Sequence, residues 1–66
     1  MLIVNGKPMH FRSQPQTVQQ LLEHLRIEDR RLIVEKNKQI VDSSRHQEEP
    51  LEAGDRIEIV HFVGGG

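Results

Sequence analysis

Leu2-Ile3-Val4-Asn5-Gly6-Lys7-Pro8-Met9-His10-Phe11 sets two short apolar runs on either side of Asn-Gly, an arrangement suited to a tight reversal of the chain. Asn5 and Gly6 can both take the positive φ that a two-residue type I′ turn needs, so Leu2-Ile3-Val4 and residues 7–11 read as a hairpin. The turn fixes the register: with Val4 opposite Lys7, Leu2 falls opposite Met9. Side chains alternate along a strand, which puts Leu2, Val4, Met9 and Phe11 on one face and Ile3, Pro8, His10 and Arg12 on the other. The first set is expected to face a core. Pro8 donates no ladder hydrogen bond, and its strand is therefore expected at a sheet edge.

Beyond the hairpin, Thr17-Val18-Gln19-Gln20 has the form of a capping box, with the Thr17 hydroxyl accepting from the Gln20 amide and the Gln20 side chain reaching back to the Thr17 amide. Val18, Leu21, Leu22 and Leu25 then recur at helical spacing, leaving Gln19, Gln20, Glu23, His24 and Arg26 toward water. This predicts a short helix with one apolar stripe. Leu32-Ile33-Val34-Glu35 and Gln39-Ile40-Val41, separated by Asn37-Lys38, read as a second strand pair. Residues 42–50 are polar and rich in turn formers. Glu52-Ala53-Gly54-Asp55 signals a turn into residues 56–63, the best strand in the sequence, which runs straight into Gly64-Gly65-Gly66.

Hairpin, helix, strand pair, irregular crossing and last strand pack most simply as one mixed sheet with one main helix laid across its apolar face. This α+β order is the β-grasp arrangement. Residues 1–63 are expected to form that domain and residues 64–66 a flexible glycine tail.

Composition narrows the function. A chain of 66 residues has room for one modest core, since a domain of this size buries only about 60% of its unfolded surface. Without cysteine there is neither a disulfide framework nor a thiolate zinc site. Nine basic residues against ten acidic ones leave a formal charge of −1, and the only aromatic residues besides histidine are Phe11 and Phe62. That is neither the cationic footprint nor the stacking platform that nucleic acid requires. No apolar run approaches the roughly 18 residues of a membrane span. Asn5-Gly6-Lys7 breaks the run that begins at Met1, which argues against a signal peptide and makes the cytoplasm the expected location.

The side chains suggest no catalyst. His10, His24, His46 and His61 fall in four different predicted elements, without the close spacing of a metal-ligand motif. Asp42, Ser43, Ser44 and His46 are neighbours in sequence, but a turn with capping hydroxyls accounts for them more simply than a nucleophilic triad. Glu48, Glu49, Glu52, Asp55 and Glu58 make the last third acidic, either a solvated face or a docking surface for a basic partner.

The glycine tail carries the functional signal. Glycine loses the most backbone entropy on ordering and has no side chain to pack, so three in a row after a strong strand are expected to stay exposed and mobile. Lacking Cβ atoms, they would thread a narrow channel and leave the terminal carbonyl open to attack. A frayed end or an added linker is the plainer alternative. In the strand before the tail, Ile57 and Ile59 point inward. Either a bulge resets the phase there, or the same phase carries His61 inward and turns Val60 and Phe62 outward; in the second case Val60 and Phe62, with the adjoining Val63, are expected to form an apolar docking patch beside the tail.

Taken in order, Leu2-x-Val4-Asn5-Gly6, the Thr17-led helix, Val34-Glu35-x-Asn37, Leu51-x-x-Gly54-Asp55-x-Ile57-Glu58-Ile59 and the terminal Gly65-Gly66 resemble the ThiS family across essentially the whole chain. Members are ubiquitin-like sulfur carriers of thiamine biosynthesis. The resemblance implies that an E1-like adenylyltransferase activates the Gly66 carboxylate with ATP. Sulfur from a donor such as a cysteine desulfurase then makes a thiocarboxylate, which a thiazole synthase uses. Gly65 and Gly64 would lie in the partner's channel. The chain would be a cosubstrate without a bound cofactor, with ATP and metal belonging to the activating enzyme. A molybdopterin-pathway carrier shares the same fold and tail chemistry. A non-conjugating β-grasp binding module is the alternative of a different class.

Overall fold

The computed structural model describes residues 1–28 and 31–61. Strands β1 (Leu2–Val4) and β2 (Lys7–Met9) are followed by helix α1 (Val18–His24), strands β3 (Leu32–Lys36) and β4 (Gln39–Val41), a 3₁₀ turn at Ser43–Arg45, and strand β5 (Arg56–His61). The sheet order is β2-β1-β5-β3-β4, parallel between β1 and β5 and antiparallel elsewhere.

The first hairpin has the register its turn dictates, Leu2 with Met9 and Val4 with Lys7, and Pro8 lies on an edge strand. Strand β2 stops at Met9, short of the expected Phe11, because β1 begins at Leu2 and offers no ladder partner beyond that pair. Phe11 still packs against the core and meets the His24 ring edge-on, with centroids 4.9 Å apart. Both hairpins reverse through two left-handed residues: Asn5 (φ 50°) with Gly6 (81°), and Asn37 (51°) with Lys38 (70°).

Thr17 caps α1, its hydroxyl accepting from the Gln20 amide at 3.2 Å. The reciprocal bond differs from the expected one. Gln20 Oε1 accepts from the Gln16 amide at 2.8 Å rather than from Thr17, since a bridge from Thr17 to Pro50 holds the entering chain extended and brings Gln16 within reach. At the other end the Ile27 amide donates to the Leu22 carbonyl and the Arg26 amide to that of Glu23. This is a Schellman closure, with Arg26 at φ 58° in the place usually given to glycine.

The helix stripe Val18, Leu21 and Leu22 closes over Leu2, Val4, Leu32, Val34, Val41, Leu51, Ile57 and Ile59, all buried. The segment expected to be irregular contributes to this packing as well. The Gln19 amide donates to the His46 carbonyl and the Val18 amide to that of Glu49, so this loop takes up two free donors of the first helical turn. Lys36 Nζ meets Glu49 Oε2 at 2.6 Å and donates to the Pro50 carbonyl at 2.9 Å, fastening the loop to β3.

Arg26 and Lys38 hold a conformation that a Cβ disfavours. Arg26→Gly and Lys38→Gly are each expected to raise unfolding free energy by up to about 1 kcal/mol, seen as a higher urea midpoint at unchanged slope.

Candidate functional site

Strand β5 leads into the glycine-bearing end of the chain, and the sheet holds it on both edges. On one side the Ile3 amide donates to the Asp55 carbonyl at 2.9 Å and the Asn5 amide to the Ile57 carbonyl at 2.8 Å. There β1 turns away. The next donor along β5, the Ile59 amide, finds Asn5 Oδ1 at 2.7 Å, a side-chain oxygen standing where the carbonyl of a longer β1 would be. On the other side the ladder with β3 runs from Ile57 opposite Lys36 to His61 opposite Leu32. Asn37 pins the beginning of β5: its amide donates to the Arg56 carbonyl at 2.8 Å, its Oδ1 accepts from the Arg56 amide at 3.0 Å, and its Nδ2 donates to Asp55 Oδ1 at 3.0 Å. Sequence reading used these asparagines only as turn formers and missed both ties.

Of the expected docking residues, Val60 is 47% exposed, on the sheet face away from α1 and opposite the half-buried Ile33. Ile40, also on that face, is 70% exposed. Phe62, Val63, Gly64, Gly65 and Gly66 lie outside the described residues. His61 corrects the expectation of an inward side chain. It keeps the phase of Ile57 and Ile59 yet is exposed, because it pairs with the first residue of β3 at the rim of the sheet, where the core ends.

His46 is the buried histidine, 7% exposed, and position in a polar loop gave no sign of it. Its Nε2 lies 3.3 Å from the Val41 carbonyl, which accepts a hydrogen bond from the tautomer that carries its proton on Nε2. Asp42 Oδ1 accepts from both the amide and the hydroxyl of Ser44 at 2.9 Å, the capping turn expected for this segment. These bonds, the backbone one foremost, hold the Asp42 carboxyl below its usual range. A cavity of about 500 Å³ at the C-terminal end of α1 is lined by Leu22, Glu23, Arg26, Glu28, Leu32 and His46 among others, and no serine, threonine, cysteine or lysine is among its described lining residues. Among the described residues no group of three or more metal-ligating side chains comes together, and no helix is long and apolar enough to cross a membrane.

The ThiS family matches residues 2–66 of this chain. The chain is 46% identical over 66 residues to the sulfur carrier protein ThiS of Bacillus subtilis, taking in the whole of both. It is 40% identical over 65 residues to a thiazole synthase of Paramagnetospirillum magneticum, covering 98% of this chain and 20% of that protein. Its fold matches the crystal structure of thiamine biosynthesis protein ThiS from Geobacter metallireducens with a TM-score of 0.84 at 30% identity, over 98% of this chain and 97% of that one.

Asn5→Ala leaves the part-buried Ile59 amide without its acceptor and puts a Cβ-bearing residue without a compensating side chain at positive φ. It is expected to lower stability by about 1–3 kcal/mol and to speed hydrogen exchange at Ile59. A carboxyl with a depressed folded pKa stabilises above its unfolded value and loses that contribution as pH falls through the folded one. Asp42→Asn should therefore be the less stable form at neutral pH and converge with the parent as pH falls through the depressed range in which the folded carboxyl takes up its proton, as thermal melts across pH would register.

Proposed function

The chain belongs to the ThiS family, the sulfur carriers of thiamine biosynthesis, and we propose that its reactive group is the carboxylate of Gly66, adenylated and then converted to a thiocarboxylate. The observation that carries this reading is the likeness to a sulfur carrier protein over the whole of both chains. The fold supports it. An end that must enter another protein's active site has to leave a body that holds its shape, and β5 is bonded on the β1 side as far as Ile59 and paired with β3 as far as His61.

The chemistry follows from the weakness of a carboxylate as an electrophile. Attack of a Gly66 carboxylate oxygen on the α-phosphorus of ATP expels pyrophosphate and leaves an acyl adenylate with AMP as a good leaving group. A sulfur nucleophile then reaches the carbonyl, which no side chain on residues 64–66 shields. The thiocarboxylate keeps sulfide bound yet nucleophilic. A chain without cysteine offers no thiol of its own to compete, and sulfur would be held at the chain end alone. The carrier is a cosubstrate rather than a catalyst. ATP and metal belong to an E1-like adenylyltransferase, sulfur comes from a donor such as a cysteine desulfurase, and the work takes place in the cytoplasm. Residues 64–66 form the tail, with Gly64 and Gly65 in the partner's channel and Val60, Phe62 and Val63 beside its mouth.

Likeness to part of a protein named thiazole synthase supports a thiazole synthase as the destination, in preference to the molybdopterin branch. Incubation with ATP, the activating enzyme, a cysteine desulfurase and cysteine is expected to add about 16 Da at Gly66, as sulfur replaces one oxygen. One residue appended after Gly66 should abolish the gain. An unmodified parent chain, beside an enzyme set shown to be active, would favour the non-conjugating binding module instead.

A further inference from the structure

The chain has two asparagines, and both stand at the first left-handed position of a hairpin turn, Asn5 before Gly6 and Asn37 before Lys38. Their successors set them apart chemically. A carboxamide carbon can be attacked by the main-chain nitrogen of the next residue, and glycine, without a Cβ, hinders that attack least. Asn5-Gly6 is therefore open to a reaction that Asn37-Lys38 resists. The exposed Asn5 carboxamide also ties the fold together, since its Oδ1 accepts from the part-buried Ile59 amide at 2.7 Å. Its own amide donates to the Ile57 carbonyl at 2.8 Å, so main chain and side chain of the one residue are both held on β5.

We propose that Asn5 is a site of deamidation gated by its contact with Ile59, the reaction proceeding only from a form in which that contact has opened. The Gly6 nitrogen gives its proton to a solvent base and bonds to Asn5 Cγ, while Nδ2 takes up a proton and leaves as ammonia. A five-membered succinimide remains, its ring closed through Cα, Cβ, Cγ, the Gly6 nitrogen and the Asn5 carbonyl carbon. Closing that ring draws Cγ back onto its own main chain and surrenders the bond to Ile59. Water then opens the ring in one of two ways. Cleavage between the nitrogen and Cγ gives aspartate, whose carboxylate can accept from the Ile59 amide as the carboxamide did. Cleavage between the nitrogen and the main-chain carbonyl gives isoaspartate, in which the chain runs through Cβ and Cγ and is one carbon longer. Over either route water replaces ammonia and no oxidant or reductant enters. The longer chain no longer fits the two-residue turn that sets Val4 opposite Lys7, and its carbonyl has left the place facing Ile59. The two products thus differ in effect: one refastens β5 on the β1 side and the other leaves it loose.

The test holds the full chain in warm, mildly alkaline buffer, folded and again in denaturing urea. Peptide mass mapping follows the gain of about 1 Da as NH2 becomes OH, and an isoaspartyl methyltransferase marks the isoaspartate. In urea Asn5 should react and Asn37 stay intact. In the folded chain the reaction at Asn5 should be slower by at least about tenfold, by the same factor that protects the Ile59 amide from hydrogen exchange. The isoaspartate fraction should unfold at a lower urea midpoint than the parent, whereas Asn5→Asp should remain close to it. At Gly6 an added Cβ would meet nothing within 4 Å, so Gly6→Ala strains the turn without a clash. Read in urea, where folding does not enter, it should slow the reaction sharply. Equal rates in the folded and unfolded chain, a slowing that does not match the protection of Ile59, equal reaction at Asn37, or an isoaspartate fraction as stable as the parent would overturn the proposal.

Discussion

The hydrogen bond from the Ile59 amide to Asn5 Oδ1 fills the gap left by the parallel pairing of β1 and β5. Strand β1 has three residues and β5 has six, so a ladder made of main chain alone would leave a part-buried donor facing nothing. Buried peptide groups without partners are destabilising by more than most bonds contribute, which makes this contact a condition for β5 lying flat between its neighbours. Ile57 and Ile59, on that strand, are buried in the same cluster as Val18, Leu21 and Leu22 of the helix. Displacement of β5 would disturb the core as a whole.

Much of this architecture was legible in the sequence because it depends on short-range rules. Asn-Gly set the first register, Thr17 marked the helix start, the apolar stripe chose its buried face, and Pro8 marked an edge. What escaped were the features that depend on parts of the chain meeting from a distance. His46 looked like a loop residue until the loop was seen to close over the start of α1. Gln20 bonded Gln16 because a bridge to Pro50 fixed how the chain enters the helix. His61 kept its phase but lost its cover, since alternation tells which way a side chain points and not where the core stops.

The candidate site divides along the same line. Gly64, Gly65 and Gly66 are conspicuous in the sequence, and the outward phase of Val60 followed from two isoleucines. That Glu35 lies opposite Glu58 was invisible until β3 and β5 were in register, for nothing in Val34-Glu35 or Glu58-Ile59 announces that the two strands pair. Surfaces built across strands are in general harder to read than those built along one.

The two neighbours of β5 have a mechanical consequence. Hydrogen bonds in a sheet lie across the strands, so a pull on the chain end along β5 slides the strand against β1 and β3 and loads its cross-strand bonds together. Peeling would load them one at a time, and over residues 56–59, where β5 is bonded on both flanks, a pull along the strand meets no free edge. A body anchored in this way resists traction on its terminus, and an enzyme that draws the last residues into a channel would move the carrier as a rigid piece rather than unravel it.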